Sequence, residues 1–168
     1  MNMMAPISIT SFEISPGEPF GDALLALNNS HAEELSWLEP EQIKHLVAQA
    51  FYARRIGDLD AFLIALDQNG QYDNPNFRWF RARYDRFVYV DRIVVAPSAR
   101  GKGCARRLYA DLFDYAETAG HDQIVCEVNR QPPNPSSDAF HAALGFVEVG
   151  SASIHDGRKT VRYLSRSL

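Results

Sequence analysis

Gly101 and Gly103 stand two residues apart between and beside the cations Arg100 and Lys102. They follow the apolar run Ile93-Val94-Val95-Ala96-Pro97 and precede the repeat Ala105, Leu108, Tyr109, Leu112 and Phe113. The run has the composition of a strand and the repeat has the period of a helix face, so the glycine turn should open a helix. The first N–H groups of a helix have no partner within it, and together with the helix dipole they favour an anion. Glycine removes the side chain where such an anion must come close, and Arg100 and Lys102 add positive charge, unless Lys102 only faces solvent. The chemistry open to this turn is the cradling of a diphosphate. The alternative is a plain strand–turn–helix, since glycines are common in turns. A Walker loop needs GxxxxGK followed by Ser or Thr, and a dinucleotide fingerprint needs a third spaced glycine; neither is present.

Proton-transfer chemistry has fewer candidates. Glu127 interrupts the apolar run Ile124-Val125-Cys126-Glu127-Val128. A carboxylate in such a strand can have a raised pKa and accept a proton; otherwise it is a solvated or Arg-paired residue at the sheet rim. Asp91 is the rival. It has the parity of Tyr89 and Ile93, which predicts one shared strand face, and it can instead pair with Arg92 or Arg86. His31, His45, His121 and His155 show no metal-ligand spacing, so surface or capping roles and no metal are expected. Cys104 and Cys126 form no CxxC pair, which fits a reduced, cytoplasmic protein. Arg78, Arg81, Arg83 and Arg86 interleave with Trp79, Phe80 and Tyr84. Either these arginines meet an acceptor's carboxylate or phosphate, or the aromatics cover the sheet and the arginines stay in solvent.

The elements that must position these residues can be read in outline. The formal net charge of -4 argues against nucleic acid as a main partner. No secretory signal or membrane-spanning run is visible, so no membrane partner is expected. A first strand is expected over Ile7 to Ile14, then helices around Leu24 to Leu38 and after Pro40. A hairpin should follow, Phe51 to Ile56 and Ala61 to Leu66, then an irregular stretch from Asp67 to Arg86. Phe87 to Val95 should be a strand, the residues after the glycine turn a helix ending at Gly120, and Gln123 to Val128 a strand. Asn134-Pro135 carries the cap and first-turn chemistry of a short helix. Phe146 to Ile154 and Thr160 to Ser165 should form a hairpin around Asp156-Gly157. The chain, 1–168, is expected to be one mixed α/β (α+β) domain.

The segment Arg100-Gly101-Lys102-Gly103-Cys104-Ala105 resembles the acyl-CoA signature of the GNAT superfamily of N-acetyltransferases: Arg or Gln, two residues, Gly, one residue, then Gly or Ala. A second segment, Asn134 and Ala139-Phe140-His141-Ala142-Ala143-Leu144-Gly145-Phe146, is similar to the family's Asn, helix and Leu-Gly-Phe region. The resemblance runs from about Phe87 to Phe146. It implies a central, mostly antiparallel twisted sheet of about seven strands with a splayed parallel pair, flanked by about four helices. It also implies acetyl-CoA as co-substrate, with Ile93, Val94 and Val95 along the pantetheine arm. The amides of Gly101, Lys102, Gly103, Cys104, Ala105 and Arg106 would hold the pyrophosphate, and Asn134 would contact the cofactor. A backbone N–H near Val94 would polarise the thioester carbonyl.

The implied reaction moves an acetyl group to a primary amine by direct attack in a ternary complex. The amine must be neutral, and the departing thiolate must be stabilised or protonated. Free values of about 10.4 and 8.5 for such an amine and a thiol make help from the protein useful near neutral pH. Glu127 occupies the matching strand position of the base in some relatives, although Arg130-Gln131-Pro132-Pro133 lengthens the segment before Asn134. His141 takes the place where the family usually has a Tyr acid; it can donate to sulfur or only pack against the CoA. The acceptor is a small-molecule amine or a peptide or protein amine, and a homodimer is possible. The alternative function is a non-catalytic acyl-CoA-binding regulatory domain of the same fold.

Overall fold

Val88 to Val95 becomes the central strand because six of its eight residues are Val, Ile or Tyr, which suit a pleated surface buried on both faces. The computed structural model describes residues 5–32 and 35–168. Its strands are β1 (Ile7–Ser8), β2 (Tyr52–Ile56), β3 (Ala61–Asp67), β4 (Val88–Val95), β5 (Gln123–Gln131), β6 (Val147–Ile154) and β7 (Lys159–Ser167). Its helices are α1 (Pro19–Asn29), α2 (Pro40–Gln49), α3 (Pro75–Arg81), α4 (Cys104–Thr118) and α5 (Pro135–Ala143). The strands form one sheet in the order β1-β2-β3-β4-β5-β7-β6. Every neighbouring pair is antiparallel except β4 and β5. That pair is joined only at Val88↔Ile124 and Tyr89↔Val125, and beyond Tyr89 the two strands part.

Each sheet face buries its own apolar cluster. Phe62, Tyr89, Val125 and Tyr163 lie on the side covered by α1, α2 and α3; Leu63, Val90, Cys126 and Leu164 lie on the side of α4. The alternation along β4 breaks once. Ala65 of β3 faces Val90 and Ile64 faces Arg92, so Asp91 is an extra residue, a β-bulge. Downstream of it the parity reverses: Val94 joins the cluster of Tyr89, and Ile93 packs with that of Val90. The single face expected for Tyr89, Asp91 and Ile93 is therefore not formed, because the bulge shifts the register by one.

Two further expectations change. The strand expected over Ile7 to Ile14 ends at Ser8, because Thr10 N–H turns to the Glu13 carboxylate at 2.8 Å and Glu13 N–H to the Thr10 carbonyl at 3.2 Å. Ile9 and Ile14 are buried all the same. The irregular stretch from Asp67 to Arg86 contains α3, a fifth helix where about four were expected. Asn74 caps it, its side-chain oxygen accepting from Asn76 and Phe77 N–H at 2.9 and 3.2 Å, with Pro75 at the first position. Phe77 and Phe80 are fully buried, and Trp79 stacks on Tyr163 with centroids 4.1 Å apart. Arg78 pairs with Asp73, Arg81 and Arg83 lie over Phe77 and Trp79, and Arg86 donates to the Ala119 carbonyl. The aromatics thus cover the sheet and the arginines lie outside it.

Candidate active site

The turn before α4 is built as its glycines require. Gly101 and Gly103 both have φ of +77°, a conformation in which a side chain is strained, and Gly103 is the residue that caps α4. A Cβ on either would meet nothing within 4 Å, so the space in front of the turn is open. Among the described residues, the N–H groups of Gly101 through Arg106 donate to no backbone carbonyl; the first such bond runs from Arg107 N–H to Gly103 O at 3.0 Å. Arg100, Lys102 and Arg106 are exposed around the turn, so Lys102 faces solvent while adding to the local charge. Unpaired amides, open space and a cationic rim fit a diphosphate.

Where β4 and β5 part, a cavity of about 150 Å³ opens, lined by Val90, Asp91 and Ile93 from β4, Cys126 and Glu127 from β5, and His141 from α5. A smaller cavity of about 70 Å³ is lined by Asn74, Asn76, Ile154 and His155. Both share Leu35, Asp91, Arg92, Glu127 and Lys159. Glu127 thus stands between two openings, one toward α4 and α5, the other toward α3 and the β6–β7 hairpin. Val94 and Val95 continue β4 beyond the cavity toward the glycine turn.

Glu127 is held at both oxygens. Tyr89 O–H donates to Oε2 at 2.7 Å and Asn76 Nδ2 donates to Oε1 at 3.1 Å. Asn76 is fixed in turn by Tyr163 O–H, which donates to its Oδ1 at 2.9 Å. Burial raises the Glu127 pKa from 4.5 to about 7; the Tyr89 bond opposes this and the charge of Asp91 adds to it. A carboxylate poised there exists in both protonation states at neutral pH.

Asp91 has a different setting. Its carboxylate accepts from Arg92 Nε at 2.7 Å, and the two side chains are 3% and 2% exposed. Arg92 Nη1 continues to Asn28 Oδ1 at 2.7 Å and the Ser36 carbonyl at 3.4 Å. Asn29 extends the chain by accepting from Leu38 N–H and donating to Leu38 O. This polar network ties the end of α1 and the segment before α2 to β4, and that segment supplies Leu35 to both cavities.

His141 is 6% exposed, and burial lowers its pKa. Its Nδ1 lies 2.7 Å from the Ser137 carbonyl, which only accepts, so Nδ1 carries the proton. Nε2 then accepts from Tyr109 O–H at 2.9 Å. Tyr109 also lines the larger cavity and interacts with the Cys126 thiol. Asn134 does two things compatible with both expectations: its Oδ1 caps α5 through Ser137 N–H at 3.3 Å, and it lines the cavity.

The structure therefore brings Asp91, Ile93, Glu127, Asn134 and His141 to one cleft, with the Arg100–Arg106 turn at the start of α4. It adds three residues that sequence reasoning passed over: Tyr89 and Asn76, which hold Glu127, and Tyr109, which holds His141. Tyr109 reads as one more apolar residue of an amphipathic helix, and Asn76 lies in a stretch without legible periodicity. Among the described residues no helix is long and apolar enough to cross a membrane, and no group of three or more His, Cys, Asp or Glu could hold a metal ion.

Comparison with known proteins identifies the relatives of this arrangement. The acetyltransferase (GNAT) family profile matches residues 33–146, more than half of the chain. A phosphinothricin N-acetyltransferase of Streptomyces coelicolor is 39% identical over 71 residues, which is 42% of this chain and 40% of that protein, so the match spans less than half of either. The ribosomal-protein-S18-alanine N-acetyltransferase of Escherichia coli shares the fold with a TM-score of 0.68 at 16% identity, covering 98% of this chain and 94% of the other. A chain of the NatC complex bound to Gag peptide and CoA superposes with a TM-score of 0.71 at 13% identity, covering 99% of both chains.

Proposed function

Because the chain belongs to the GNAT family of acetyltransferases, we propose that it transfers the acetyl group of acetyl-CoA to a primary amine by direct attack in a ternary complex, with Glu127 as the base. The observation that carries this reading is a carboxyl group with a pKa of about 7, held at both oxygens, where the parallel strands separate.

The thioester arm lies along Ile93, Val94 and Val95, whose strand edge has no partner in the sheet beyond Tyr89. The amides of Gly101, Lys102, Gly103, Cys104, Ala105 and Arg106 hold the diphosphate, with Arg100 contributing charge and Asn134 meeting the cofactor at the mouth of α5. The amine approaches from the side of Asn74, Asn76 and His155. Its nitrogen attacks the thioester carbon, the C–N bond forms and the C–S bond breaks. Glu127 takes the proton of the amine. The departing sulfur is protonated from the pair Tyr109 and His141, in which the mobile proton rests on the tyrosine hydroxyl and His141 is its acceptor. Asp91 is the counter-ion of Arg92, and its charge reaches the reaction through the pKa of Glu127. The relatives' names span acceptors of both kinds, phosphinothricin and a ribosomal protein; the small polar cavity beside Glu127 favours a small-molecule amine here.

Calorimetry with acetyl-CoA and a free-thiol assay over a panel of amines test the reading. Saturable binding, amine-dependent thiol release and a fall of about 10²- to 10⁴-fold in kcat for Glu127→Gln are expected. Binding without thiol release on any amine would leave a CoA-binding domain without turnover.

A further inference from the structure

We infer that the acceptor amine carries a carboxylate, and that Lys159 binds it. This rests on the transfer reading above and goes beyond it to the chemical class of the acceptor.

Two basic side chains, Arg92 and Lys159, line both cavities beside Glu127. Arg92 is committed: it is buried against Asp91, Asn28 and the Ser36 carbonyl. Lys159 is half-buried, and among the described residues its side chain forms no hydrogen bond or ion pair. Its charge nevertheless reaches the cleft, since it acts on Glu127. A lysine stem half-covered at a cavity wall, with an ammonium that meets no protein anion, is built to meet one from a ligand.

The chain holds that lysine in place at the end of a hairpin. Lys159 pairs with Ile154 as the last rung of the β6–β7 ladder. Between them His155 and Asp156 have φ of +55° and +57°, the left-handed conformation of a tight hairpin turn, which His and Asp tolerate better than most residues, ahead of Gly157 at +81°. The turn sets His155 and Lys159 on one wall of the smaller cavity. Glu127 lines the same cavity and takes the amine end. The charges are thus laid out for a molecule with an amine at one end and an anion at the other. A cavity of about 70 Å³ and one point charge, with no guanidinium fork left uncommitted, suit a carboxylate better than a phosphate.

The test uses the α-, β- and γ-amino acids, each beside its carboxamide, in the thiol-release assay, with wild type, Lys159→Met and Lys159→Arg. Wild type should favour free acids over their amides in kcat/KM by about tenfold or more, as expected for a hydrogen bond to a charged partner. Lys159→Met should abolish that preference and Lys159→Arg should restore most of it. Acetyl-CoA affinity, measured by calorimetry, should match wild type in both. Lys159→Gln replaces the methionine variant if that chain does not fold. A preference that survives loss of the lysine, equal use of acids and amides by wild type, or no acetylation of any amino acid while acetyl-CoA still binds, would each overturn the inference and leave acetyl transfer standing. Absence of acetyl-CoA binding would remove the transfer reading itself.

Discussion

Tyr89→Phe should move the pH dependence of turnover upward without touching the substrates directly. As the proposed base, Glu127 would act only when ionised, so kcat/KM should rise with pH through an apparent pKa of about 7. The Tyr89 hydroxyl donates to its Oε2 at 2.7 Å and stabilises the ionised form. A hydrogen bond to a charged acceptor contributes about 1.5–3 kcal/mol, and 1.36 kcal/mol corresponds to about one pKa unit, so its loss should raise the acid limb by about one to two units. Wild type is about half ionised at pH 7; the variant would be roughly 1–10% ionised, a fall of roughly 5- to 50-fold in kcat/KM at that pH. Above about pH 9 the two enzymes should agree to within about twofold, since at least about half of the variant is then ionised. The assay is thiol release at subsaturating amine from pH 5.5 to 9.5. An acid limb that stays in place in Tyr89→Phe, or that persists unchanged in Glu127→Gln, would refute the assignment of that limb to Glu127.

Other consequences follow from the same geometry. Gly103→Val puts a branched side chain into a left-handed position and into the open space before α4; as the turn relaxes to relieve about 1–2 kcal/mol of backbone strain, calorimetry should show acetyl-CoA affinity weakened by about 5- to 30-fold. Arg92→Met leaves Asp91 buried and unpaired and should cost about 3–5 kcal/mol in denaturant unfolding. Tyr109→Phe should lower kcat by about 10²-fold with little change in acetyl-CoA affinity, measured by stopped-flow and calorimetry, if its hydroxyl supplies the proton to sulfur. The folded-state pKa of Glu127 lies above its unfolded value, so the stability it contributes is complete at low pH and is lost as pH rises from about 4.5 through 7. Glu127→Gln should therefore gain in Tm relative to wild type between pH 5 and pH 8.

The parts of this fold that were legible in the sequence are those whose signal is local. The turn Arg100 to Ala105, the apolar strand before it and the Asn134-Pro135 helix start are all set by backbone chemistry within a few residues. Asn74-Pro75 carries the same helix-start chemistry as Asn134-Pro135, yet the turn residues around it, Asn69-Gly70 and Asn76, obscured a helix of only seven residues. The side-chain partnerships were not legible, because they join distant segments: Glu127 to Asn76 across 51 residues and to Tyr89 across 38, and Arg92 to Asn28 across 64. Glu127 could be picked out as a charged residue in an apolar strand, but nothing local says which hydroxyl and which amide hold it.

The bulge at Asp91 is the clearest case of a non-local feature that decides the chemistry. A regular β4 would place every second residue on the side of Tyr89 along its whole length. One extra residue reverses the parity and turns Arg92 into the cluster beneath α1, where Asn28 and the Ser36 carbonyl receive it. The guanidinium is buried there only because Asp91, the bulged residue itself, neutralises it. Bulges add local twist and bend a strand, and here the ladder between β4 and β5 stops at Tyr89, just before the bulge. The β4–β5 ladder thus ends beside a single inserted residue that supplies the counter-ion anchoring the segment bearing Leu35 and places a negative charge close enough to help raise the pKa of Glu127. Asp91 and Glu127 look like rivals for one role when read along the chain; in the fold their settings differ, because Asp91 is buried against an arginine, whereas Glu127 is buried among neutral donors and its pKa rises to about 7.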